Sequence, residues 1–155
     1  MKKNSLLVKF EILWWIFTLV LLIGILYPIL PYLNSYTFLF TNLIYIIVFI
    51  TITRYIFFLR HTFLAHKEIL KLVFIFLSVP FVFYLIQALN TFQTFLDNYG
   101  IAAVLGTVPE AATKSMASYV YSEMLLFGVG SIVSAIIFPF RLALSIWRTR
   151  NKRGV

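Results

Sequence analysis

Four stretches of almost uninterrupted apolar residues dominate the chain, at 12–30, 36–59, 69–89 and 124–147. None shows the period-two alternation of a barrel strand, so each reads as helix. A hydrocarbon core of about 30 Å takes about 20 residues of helix at 1.5 Å each, and all four stretches reach or approach that length. Polar interruptions are few: Arg54 in the second, Lys71 near the start of the third, Arg141 in the fourth. Pro28 and Pro31 close the first, while Pro80 and Pro139 predict kinks in the third and fourth. The pattern predicts a single all-α membrane domain over 1–155, with four transmembrane helices in an up-down bundle.

The segments between spans carry their own patterns. The link at 33–35 is short and uncharged, which predicts a tight hairpin of the first two helices. Beyond the third span, Gln87, Asn90, Thr91, Thr94, Asp97 and Asn98 recur at threes and fours, with Phe92, Phe95, Leu96 and Tyr99 opposite them. That spacing extends the helix past the bilayer until Gly100 stops it. Thr107 and Glu110 have the spacing of a capping box, which predicts a second helix running into the fourth span. The segment 90–123 is therefore expected to form an outer helical hairpin. Its tip is apolar where a solvated turn is polar, and Ile101, Val104 and Leu105 are the expected contact with a partner.

Composition fixes the environment. Hydrophobic residues make up 62% of the chain and charged residues 12%, too little polar surface for a water-soluble enzyme, a disordered segment or a nucleic-acid-binding domain. Thirteen Lys+Arg face five Asp+Glu, for a net charge of +8. Ten of the cations fall in three segments: Lys2, Lys3 and Lys9; Arg60, Lys67 and Lys71; Arg148, Arg150, Lys152 and Arg153. Only Lys114 belongs to the opposite side. The positive-inside rule makes the rich face cytoplasmic, with both termini inside a cytoplasmic (inner) membrane. Trp14, Trp15 and Trp147 fit as interfacial anchors there, and the basic clusters suit anionic lipid head groups. Lys2, Lys3 and Lys9 resemble the start of a signal peptide. The apolar run behind them is too long for one, however, and is followed by Pro31 and Tyr32 rather than a small-residue cleavage site; a retained anchor is expected.

Chemistry-bearing groups are sparse. The absence of cysteine removes disulfides, thiol redox chemistry and Cys-ligated metal. His61 and His66 lie five apart with no third ligand, and both sit at one interface, so neither metal nor haem is expected and no cofactor is assigned. Asp97 is the single aspartate, which excludes a paired-aspartate centre. Charges inside spans are functional candidates because burying them in hydrocarbon is costly. Arg54 and Arg141 lie at similar depth on the cytoplasmic side, where Glu11 enters the membrane. Glu11, Arg54 and Arg141 are expected to form an intramembrane charge cluster or a pocket for an anion or lipid head group, with snorkelling as the competing arrangement. Gly128, Gly130, Ser131, Ser134 and Ala135 place small residues four apart in the fourth span, a pattern for close helix packing or self-association.

These features lead to a non-enzymatic accessory or structural subunit of a membrane complex, working through a membrane-protein partner and the lipid bilayer. A transporter or channel built as a homo-oligomer would instead need Asn42, Gln87, Asn90 and Arg54 to converge on a water-filled path. An enzyme acting on lipid would draw on Glu123, Asp97 or Glu110 as acid or base.

Overall fold

The computed structural model of the protein describes residues 2–106 and 110–151, and they are helical almost throughout, with no strand. Four long helices follow one another: α1 Lys2–Leu26, α2 Leu39–Phe58, α3 Glu68–Tyr99 and α4 Glu110–Asn151. Four apolar windows within them are long enough to cross a membrane, at Val8–Tyr32, Leu39–His61, Glu68–Tyr99 and Ser115–Asn151. The helices run past the apolar stretches at several ends because polar flanking residues continue the same hydrogen-bonded turns. Thus α4, at 42 residues, is about 63 Å long and carries the fourth span and the second arm of the outer segment as one element.

The proline positions have different outcomes. Pro28 and Pro31 fall in a 3-10 segment, Tyr27–Tyr32, which ends α1 earlier than the apolar pattern predicts. The connection to α2 occupies residues 27–38 and is no tight hairpin. Pro80 and Pro139 sit inside α3 and α4, which continue through them. Gly100 ends α3 as expected: its φ of +75° is one that side-chain-bearing residues rarely adopt, and its N–H closes the last turn on the Leu96 carbonyl at 2.8 Å. Thr107, the expected N-cap of the next helix, lies outside the described residues.

Packing is uneven. Both α2 and α3 pack along α4, whereas α1 packs chiefly along α2. One apolar core joins Tyr45, Ile46 and Ile50 of α2 to Leu85 and Phe92 of α3 and to Val120, Met124 and Ala135 of α4. A smaller one gathers Leu59, Leu64, Phe138 and Leu142 at the far end. Small side chains let α4 approach α2: a Cβ added at Gly130 would meet the Phe49 ring at 2.8 Å, and one at Gly128 would lie 3.0 Å from Leu89 and 3.4 Å from Tyr45. Ser131 and Ser134 are buried on the same helix and satisfy their hydroxyls within α4, on the carbonyls of Gly128 and Ser131, as serines in apolar helices commonly do. Together with Ala135, this small-residue set lies against the protein's own neighbouring helices.

The outer tip departs from expectation. After α3 the chain forms a 3-10 turn, Ile101–Val104, which folds back against the α1–α2 connection. The Thr37 N–H donates to the Val104 carbonyl at 3.2 Å, and the Ser35 hydroxyl to the Leu105 carbonyl at 2.7 Å. Val104 and Leu105 are fully buried in the main core, and Ile101 is half-buried. The expected partner contact of Ile101, Val104 and Leu105 is therefore corrected for Val104 and Leu105, which have no surface left to offer, while Ile101 stays half-exposed. An apolar tip needs cover, and the residues following α1 supply it from within the chain.

Candidate functional site

Two groups of polar side chains are buried, one at each end of α2. At the end nearer the basic clusters, α1 brings Glu11 against Arg54 of α2, with Nη1 2.7 Å from Oε2. Arg54 is only 5% exposed, and rings occupy the space around its guanidinium: Trp14 and Tyr55, with centroids 5.2 and 5.8 Å from Cζ. The other Glu11 oxygen accepts the Phe63 N–H at 3.2 Å, tying α1 to the turn that leads into α3.

The third member of the predicted cluster is spent elsewhere. Arg141 donates from Nε to the Ile56 carbonyl at 2.8 Å, one of the carbonyls left without a partner at the C-terminus of α2. Lys71, completely buried, does the same for the next turn, donating to the Ala65 carbonyl at 2.7 Å and to Ser145 of α4 at 3.0 Å. Each cation thus closes a helix end or pairs with a carboxylate. Glu11 and Arg54 come together as the depth argument suggested. Arg141 bonds to backbone instead of completing a three-residue anion pocket. The sequence analysis assigned Lys71 only to topology; its place one turn inside α3 was the available signal that it faces a neighbour.

The other group was not foreseen as a unit. Tyr36 of the connection, Asn42 in the first turn of α2 and Glu123 of α4 converge beneath the folded-back tip. They are 5%, 0% and 5% exposed. The Glu123 charge acts on Tyr36, and the Asn42 side chain is a hydrogen-bonding neighbour of both. Yet the Tyr36 hydroxyl, both amide atoms of Asn42 and both carboxylate oxygens of Glu123 are buried and complete no well-aligned hydrogen bond. Tyr119, one turn from Glu123 in α4, is already used: its hydroxyl donates to the Ile25 carbonyl at 2.6 Å. The available signal was an acid placed immediately before an apolar run, with an amide at the matching depth of the second span.

Elsewhere, a cleft of about 560 Å³ lies between α2 and α3, lined by Trp15, Val48, Tyr55, Leu77, Phe81 and Phe138 among other largely apolar side chains. Gln87 and Asn90 are exposed on α3, so the convergence of Asn42, Gln87, Asn90 and Arg54 required for a water-filled path does not occur within one chain. Comparison of the chain with protein-family models, with curated proteins and with solved structures gives no match.

Proposed function

We propose that the chain is a small accessory or structural subunit of a cytoplasmic-membrane protein complex, folded as an up-down four-helix bundle with both termini on the cytoplasmic side. Alternating contacts support that topology. The start of α1, the end of α2 and the start of α3 meet around Glu11, while the end of α1, the connection, the tip and the upper part of α4 meet around Tyr36 and Tyr119.

The observation that carries the reading is the position of α1. Trp14, Thr18, Leu21, Leu22 and Ile25 form its half-buried or buried side, whereas Ile12, Ile16, Leu19, Val20 and Ile23 form a continuous stripe in which each residue is more than half exposed. The helix is therefore peripheral to the core, long enough to span the bilayer, and offers its whole outer side to a neighbouring helix. Association in lipid depends on fit, since lipid tails are as apolar as the stripe. We accordingly expect Ile16→Trp combined with Val20→Trp to abolish co-purification of a membrane partner in mild detergent, with helical content unchanged. Wild-type protein that elutes with no stoichiometric partner, or a double variant that keeps its partner, would overturn the proposal.

A further inference from the structure

We propose that Glu123, Asn42 and Tyr36 form a binding site for one monovalent metal cation of the sodium or potassium class. The cluster holds a carboxylate, an amide and a phenol, all at least nine-tenths buried, and its polar atoms complete no well-aligned hydrogen bond although Asn42 lies beside both of the others. Such atoms are expensive to bury, and native proteins pair nearly all of them. The oxygen-bearing groups required for a hard cation are all present: two carboxylate oxygens, an amide oxygen and a phenolic oxygen.

Charge selects the class of ion. Among the described residues Glu123 has no basic residue bonded to it, and the nearest cation in its own helix, Lys114, lies nine residues or about 13 Å of helix away. Of the other acids in the outer segment, Asp97 is exposed on α3 and Glu110 lies thirteen residues, or about 20 Å of helix, from Glu123. A single carboxylate matches one positive charge. A divalent ion in this dry setting would retain an uncompensated charge, since such ions are ordinarily held by several carboxylates, waters or phosphates.

Architecture gives the site a means of opening. Tyr36 comes from the connection and Glu123 from α4, where the neighbouring Val120 and Met124 belong to the same core as Val104 and Leu105 of the tip. The lid over the cluster is held by two cross-links, from Thr37 and from Ser35. A bound ion would join the connection, α2 and α4, so it is expected to stabilise the whole fold.

The test is thermal unfolding of the full chain in detergent, with choline chloride exchanged for sodium or potassium chloride at constant ionic strength. The wild-type midpoint should rise with metal concentration and saturate. Tyr36→Phe, which keeps the ring and loses one oxygen, should shift saturation to several-fold higher concentration. Glu123→Gln should remove the response and, in choline, melt no lower than wild type, because a neutral isostere replaces an unpaired charge. Should Glu123→Gln not fold, Asn42→Ala and Tyr36→Phe carry the same comparison. Equal midpoints in all three salts, or a saturable rise that survives in Glu123→Gln, would overturn the site. A midpoint that follows pH through Glu123 and ignores both metals would reassign the cluster to a proton alone. Partner co-purification is independent of all these outcomes.

Discussion

A buried arginine reports its surroundings through what happens when its partner is removed. Arg54 has lost nearly all its water and depends on Glu11 for charge compensation. Breaking a buried pair by deleting one member costs about 3–5 kcal/mol, and Glu11 is partly open to solvent, so Glu11→Gln should fall near the lower end, at about 2–3 kcal/mol in chemical unfolding. Replacing both residues, as in Glu11→Gln with Arg54→Met, should recover most of that loss, because no uncompensated charge then remains. A loss under about 0.5 kcal/mol for the single variant would mean that Arg54 reaches water unaided. The pairing itself was legible, since two residues of opposite charge at one depth in adjacent spans have strong reason to meet. What escaped the sequence was Arg141, because a backbone carbonyl freed at a helix end leaves no mark in composition. Glu123 escaped for a related reason. It stands at the edge of an apolar run, where an acid ordinarily faces water, and only the folded connection closes over it.

At the scale of elements, apolar run length identified all four spanning helices, and the small-residue spacing in α4 located its close approach to α2. The fate of the tip was not legible, because an apolar turn needs cover whether a partner or the chain provides it. The structure assigns the cover to the connection, so the consequences of mutation change. Val104→Ser and Leu105→Ser are each expected to reduce stability by about 1.5–3 kcal/mol, the cost of losing a buried aliphatic side chain, and to leave partner binding in the folded fraction intact. Unfolding in detergent monitored by circular dichroism, with co-purification measured in parallel, separates the two. Unchanged stability together with a lost partner would restore the tip as a docking surface.

For the whole molecule, the proposed orientation rests on the distribution of lysine and arginine. Reporter fusions at Gly100 and at Val155 should give opposite sides of the membrane, with Val155 cytoplasmic; a C-terminus on the outside would reverse the assignment. Even so, the ends of the helices are shaped by more than lipid. Where the apolar runs stop, α3 and α4 continue together, and the connection folds up to meet them. Membrane insertion thus accounts for the number of helices, and polar burial at both ends of α2 accounts for how they lock.

The central position of α4 has a bearing on biogenesis. It is synthesised after α2 and α3, yet it is the surface on which both of them pack. Until it is in place, those two helices share only a part of the core and the bond from the Tyr45 hydroxyl to the Leu85 carbonyl, and Tyr36 and Asn42 have no Glu123 to meet. The packing of the described helices is therefore completed only when α4 joins those made before it.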